Sequence, residues 1–237
     1  MLAGTLFSSQ GDQATVRSLL EESLELCREL REKGCMAEAF GILGQVSLDQ
    51  GDATTARALS EESLALYREI GDRWGIIQSL CLLAQVEVRQ GDHVAARARY
   101  VEGLVLCKEA GDKRSTITYL EGLASVVAAQ GEPAWAARLW GAAESLRTVI
   151  GAQSEQGGPF WMALPPVKRA TYERSVTAAR VQLGKEAFAA AWAEGCTMTP
   201  EQALAAQGPA TMPEEVPSVP QRATAAKRTP IYPAFHG

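Results

Sequence analysis

The amino-acid sequence predicts an all-α fold, a solenoid of antiparallel helix pairs with further helices capping its C-terminal end. Three observations carry that expectation. The first is a repeat: Gln10-Gly11-Asp12, Gln50-Gly51-Asp52, Gln90-Gly91-Asp92 and Gln130-Gly131-Glu132 place glycines 40 residues apart each time. Self-similarity at a fixed period of roughly 20–50 residues marks an architecture of stacked units. The second is apolar spacing. Ile76, Ile77, Leu80, Leu83, Ala84 and Val88 fall three and four residues apart, as on one face of a helix. The third is composition, rich in Ala, Leu, Glu and Arg with only 6% aromatics, side chains that lose little rotamer freedom in a helix.

Other segments keep the same step. Leu43-Gly44-Gln45-Val46 aligns with Leu83-Ala84-Gln85-Val86 and Leu123-Ala124-Ser125-Val126, and Glu21-Glu22-Ser23-Leu24 with Glu61-Glu62-Ser63-Leu64. Each unit reads as two helices. A first helix runs from Arg73 to Gln90, and Gly91 ends it in the left-handed conformation. Asp92 then offers a carboxylate to the amides opening the second helix. That helix carries Ala96, Tyr100, Gly103, Leu104 and Cys107 at helical spacing, and Gly111-Asp112-Lys113 closes the unit as Gly71-Asp72-Arg73 does one repeat earlier. Pro133 takes the first helical position of the fourth unit, where its missing N–H costs nothing.

These residues resemble the tetratricopeptide family. Its pattern places Leu and a small residue late in the first helix, then Gly, then small, large and small residues in the second. Here those places hold Leu83, Ala84, Gly91, Ala96, Tyr100 and Gly103, and again Leu123, Ala124, Gly131, Ala136, Trp140 and Ala143. The likeness covers residues 1–150 and implies a right-handed superhelical solenoid. The 40-residue step exceeds the family's usual ~34 and the usual Pro after the second helix is missing. We assign the extra length to the second helix and its turn, as in the MalT-like tetratricopeptide regions of bacterial regulators.

The ends read differently. Residues 2–12 match only the close of a first helix, so either the N-terminus pairs with something or the chain is a fragment of a longer protein. Residues 151–207 are expected to cap the array. A loop from Gly151 to Pro159 leads to a helix opened by Pro165-Pro166, with Tyr172, Val176, Ala179 and Leu183 as its stripe. After Gly184 a further helix carries Ala187, Phe188, Ala191 and Trp192, and Thr199-Pro200-Glu201-Gln202 has the pattern of a capping box. Trp161 and Trp192 read as core anchors. Residues 208–237 hold six of the eleven prolines and no apolar period, the signature of a disordered tail. The stretch from Tyr172 to Ala206 resembles the segment ending the tetratricopeptide region of large bacterial signalling ATPases and LuxR-type regulators, where a Pro-rich linker leads into a helix-turn-helix. That resemblance implies a truncated or split descendant of such a regulator.

Chemistry is sparse. A net charge of -5 argues against non-specific binding to nucleic acid or an anionic membrane. No stretch approaches the ~20 apolar residues of a membrane span and no signal peptide opens the chain, so a cytoplasmic protein is expected. Five cysteines, an odd number without a CxxC pair, predict free thiols in a reducing compartment rather than a disulfide framework or zinc site. Only His93 and His236 could serve a triad or metal site, and they stand far apart in sequence. We therefore expect no catalysis, metal or cofactor.

Surface recognition is what remains. In tetratricopeptide arrays the first helices line a concave groove, and the resemblance assigns that face, by matching positions, to Glu38, Gln45 and Asp49, then Gln78, Gln85 and Arg89, then Thr118, Glu121 and Ser125. Gly41, Leu48, Cys81, Val88, Ala128 and Ala129 fall on the same expected face. Only Arg89 is basic, which suits a protein or peptide partner better than a clamped carboxylate. The alternative expectation is a sensor domain for a small effector, closed by Trp161 and the 151–165 loop.

Overall fold

The structure, a computed structural model, describes residues 10–153 and 166–207. Among the described residues the chain forms helices and no strand. They are α1 (Gln10–Leu30), α2 (Lys33–Asp49), α3 (Ala53–Ile70), α4 (Arg73–Arg89), α5 (His93–Ala110), α6 (Lys113–Ala129), α7 (Pro133–Gln153), α8 (Pro166–Leu183), α9 (Lys185–Cys196) and α10 (Pro200–Ala205). Each of α1 to α7 packs on its neighbour in the chain. This is the predicted all-α solenoid of antiparallel pairs: α2 and α3, α4 and α5, and α6 and α7 are its repeats.

The corners form as their residues dictate. Gly91 adopts φ +79, the left-handed conformation that lets the last carbonyls of α4 be met by Gly91 N–H to Val88 O (3.1 Å) and Asp92 N–H to Glu87 O (2.9 Å). Asp92 then accepts the Ala95 amide at 3.0 Å, and Asp52, Asp72 and Asp112 cap their helices in the same way. The first copy of the motif behaves differently. Gln10, Gly11 and Asp12 lie inside the first turn of α1.

Two devices lock one repeat to the next. Arg17, Arg57 and Arg97 occupy one position of successive second helices, and each donates to the corner glutamine of the following repeat. Arg17 reaches Gln50 at 3.0 Å, Arg57 reaches Gln90 at 2.9 Å and Arg97 reaches Gln130 at 3.3 Å. Arg97 also lies over the Trp135 ring, 4.6 Å from its centroid. The second device is a ring set against a glycine. Tyr119 fills the space at Gly103, and Tyr100 fills that at Gly122, so a Cβ at either glycine would strike the ring. The two tyrosines meet edge to face at 5.9 Å, and the Tyr119 hydroxyl donates to the Ile77 carbonyl. Burial drives both phenols well above their ordinary pKa.

The C-terminal helices pack on the last repeat. α8 touches α6 much as α6 touches α4, while α9 packs chiefly on α7. α9 and α7 cross closely enough that Gly195 meets the Arg138 backbone and Gly141 the Trp192 carbonyl. Trp135 Nε1 donates to Ala203 O at 2.8 Å; Arg138 bonds Glu194 at 2.8 Å and Ala206 O at 3.2 Å. Tyr172, Val176, Ala179 and Leu183 pack against the core, and Thr199 and Gln202 form the capping box. Trp192 is half-buried with its ring 5.7 Å from Phe188. α7 runs to Gln153, past the expected loop start at Gly151. Trp161, residues 1–9, most of the 151–165 loop and the tail 208–237 lie outside the described residues.

One expectation is overturned. Cys27 and Cys35 are joined in a disulfide, with Cα atoms 5.8 Å apart, so the five cysteines are not all free. The corner between α1 and α2 turns α2 back along α1, which brings together two residues eight apart. Cys81, Cys107 and Cys196 carry no disulfide, and burial pushes the Cys107 thiol up to about 12.

Candidate functional site

The first helices of successive repeats touch, α2 with α4 and α4 with α6, more closely than second helices touch one another. α2, α4 and α6 therefore line one side of the stack. Residues four, seven and eleven apart on these helices share a face.

On α2, Glu38 and Asp49 are exposed, and half-buried Gln45 donates to Asp49 Oδ1 at 2.9 Å. On α4, Gln78 and Arg89 are exposed. Gln85 is half-buried, its amide turned back to the Cys81 carbonyl (3.3 Å) and Sγ (3.4 Å). On α6, Thr118 is exposed and Ser125 donates to Glu121 O at 3.0 Å. The Glu121 side chain is largely buried, 17% exposed. It pairs with Arg147 of α7, and it lies close enough to Tyr172 of α8 to raise that phenol after burial has done so. Burial raises the Glu121 carboxyl and Arg147 opposes the rise. It is a seam residue between α6, α7 and α8 rather than an outlying acid.

Four residues expected on this face do not reach it. Leu48 is buried against Ala56, Leu82 and Val86, Cys81 and Ala128 belong to the core, and Gly41 faces Ser63 of α3 with only 3.3 Å for a Cβ. Neighbouring first helices lie close, so residues at the edges of the stripe are covered by the adjacent helix. The sequence reading also missed a residue. Trp74 stands one turn before Gln78 on the same face and is 61% exposed. Its signal was available: Trp74 falls outside the apolar stripe of α4, next to Ile76 and Ile77, which lie within it.

Two further features lie elsewhere. Glu87 is 1% exposed on the opposite side of α4, with Arg99 at 3.5 Å and Arg57 at 3.8 Å, and its Oε2 has no hydrogen-bond partner among the described residues. Burial raises its carboxyl and the two guanidinium groups oppose the rise. This ion cluster lies between α3, α4 and α5. A cleft of about 560 Å³ opens between α5, α6, α7 and α10, lined by Leu104, Val105, Leu146 and Leu204 with Lys108 and Glu201 paired at its edge at 3.4 Å. His93 is half-buried in the first turn of α5. No described helix is long and apolar enough to cross a membrane.

Comparison with known families places a tetratricopeptide repeat over residues 35–109, about a third of the chain. The match runs from the first turn of α2 almost to the end of α5, the two repeats in the middle of the described array. No curated protein matches the chain.

Proposed function

We propose that this protein is a non-catalytic interaction module that receives a protein or peptide partner on the inner face of α2, α4 and α6. Tetratricopeptide repeats in general mediate protein–protein contact, and residues 35–109 are of that kind. The observation that carries the reading is Trp74, a large ring 61% in solvent on a face otherwise made of Glu38, Gln78, Arg89 and Thr118. Tryptophan is among the residues enriched at the few positions that carry most of an interface's binding energy. Acidic Glu38 and Asp49 at one end and Arg89 toward the middle give the partner a direction.

The test is capture of partners from the native cells by the tagged protein, compared with Trp74→Ala and Arg89→Glu. Both substitutions touch exposed positions and leave unfolding stability within about 0.5 kcal/mol. Loss of a captured partner with the fold intact supports the reading. Unchanged capture by both variants overturns it.

A second reading, a small apolar effector, is favoured by the cleft at Leu104, Leu146 and Leu204, whose size suits a drug-sized molecule. Leu146→Trp would fill it and abolish effector binding without changing capture through Trp74. The cellular setting we propose is regulatory. What supports it is the resemblance of residues 172–206 to the segment that ends such arrays in bacterial regulators.

A further inference from the structure

The three corners at which a second helix hands over to the next first helix can be compared position by position. At the α3–α4 corner, Gly71 takes φ +72, Asp72 caps α4 through the Gly75 amide at 3.1 Å, and the Tyr67 ring packs over Gly75. At the α5–α6 corner, Gly111 takes φ +65 and Asp112 caps α6 through Ser115 at 3.0 Å. The α1–α2 corner, 40 residues earlier, keeps the backbone bonds (Arg31 N–H to Arg28 O at 3.1 Å, Glu32 N–H to Cys27 O at 3.0 Å) but lacks the glycine, the aspartate cap and the ring-on-glycine contact. Arg31 holds the left-handed position at φ 57, a conformation a side chain disfavours. Glu32 stands where the aspartates stand and makes no capping bond. Where Tyr67 meets Gly75, the equivalent residues are Cys27 and Cys35, and they are bonded to each other.

A covalent link therefore occupies the place where local determinants hold the other corners. We propose that Cys27 and Cys35 form a reversible thiol–disulfide exchange site, and that its redox state decides whether α1 stays docked on α2. Cys35 is exposed in the first turn of α2, whereas Cys27 is 4% exposed near the end of α1. A small-molecule disulfide reaches Cys35 first. The Cys35 thiolate attacks it, releases one small thiol and forms a mixed disulfide; Cys27 then attacks Cys35 Sγ and releases the second. Two protein thiols are oxidised and one external disulfide is reduced to two thiols. Reduction runs the same steps backward. With the link open, α1 is left with Leu20 and Leu24 against Met36, Ala39, Phe40 and Leu43, together with the Arg17 bonds to Ser47 and Gln50. Release of α1 uncovers that apolar side of α2.

The experiment uses the full chain equilibrated with oxidised or reduced glutathione. Thiols are counted by alkylation and mass spectrometry, and amide hydrogen exchange is followed helix by helix. The oxidised protein yields a Cys27–Cys35 linked peptide. On reduction, α1 amides exchange at least ~10-fold faster while α4 to α6 are unchanged. Cys35→Ser exchanges like the reduced protein under both conditions. Arg31→Gly with Glu32→Asp, which installs the Gly-Asp corner of the later repeats, slows α1 exchange in the reduced protein toward the oxidised value. Absence of the linked peptide under oxidised glutathione overturns the proposal. So does equal α1 exchange in the two redox forms, and so does failure of the Gly-Asp corner to slow it. Should Cys35→Ser not fold, the wild-type comparison and the corner variant still decide.

Discussion

At the C-terminal end of the array α9 crosses α7 with backbone against backbone at Gly141 and Gly195, and α10 with the residue that caps it supplies carbonyls to Trp135 and Arg138. The opposite end is built more loosely. α1 rests on α2 and holds Leu19, Leu26 and Leu30 at 60%, 54% and 72% exposure. A stacked repeat buries its apolar stripes only against its neighbours, so whatever stands at an end needs a device of its own. One end has a close crossing of helices that tolerates no side chain at two positions. The other has a corner clasped by a disulfide.

The sharpest way to break this contrast is Gly195→Ala. The new methyl would meet the Arg138 backbone, which cannot swing aside as a side chain can, so unfolding stability falls by about 3 kcal/mol or more in a denaturant titration. A loss under about 1 kcal/mol would mean that the crossing is not as close as described. Next comes a corner in the middle of the array. Asp92→Ala removes the bond to the Ala95 amide and lowers stability by about 1 kcal/mol. In α1, Leu30→Gln changes stability by less than about 0.5 kcal/mol, because little apolar surface is lost there. A cost equal to that of Asp92→Ala would show that α1 is covered.

The smallest effect is one of pH. Burial raises the Glu87 carboxyl above its ordinary range, so the folded protein keeps a proton that the unfolded chain has already released. The stability tied to that proton is full below the ordinary carboxylate pKa and is lost as pH rises through the raised value. Glu87→Gln cannot lose it. Across that window the variant's stability declines less with rising pH than the wild type's, as followed by thermal unfolding from acid toward neutral pH.

Legibility followed the period. The corners at Gly51, Gly91 and Gly131 and the knobs at Tyr100 and Trp140 could be read because each position recurs with the same job. The arginine ladder at 17, 57 and 97 was written at the same step, yet its partners, the corner glutamines 33 residues on, become visible only when neighbouring repeats stack. Glu38, Gln78 and Thr118 stand in solvent where matching positions put them, whereas Leu48 and Cys81 do not, because their burial depends on how near the next first helix comes. Trp74 escaped notice as a lone aromatic in a first turn. The Cys27–Cys35 link was illegible for a related reason: spacing alone does not say that a corner folds one cysteine back onto the other.

The account turns on the inner face of α2, α4 and α6 as the surface of recognition. A photo-crosslinking amino acid placed singly at Gln78, Gln85 and Thr118, and at the exposed outer positions Glu62 and Ala98 of the second helices, addresses it in the native cells. The account predicts one partner crosslinked from all three inner positions and from none of the outer ones. Crosslinks confined to the outer positions, or spread evenly over both faces, would contradict it.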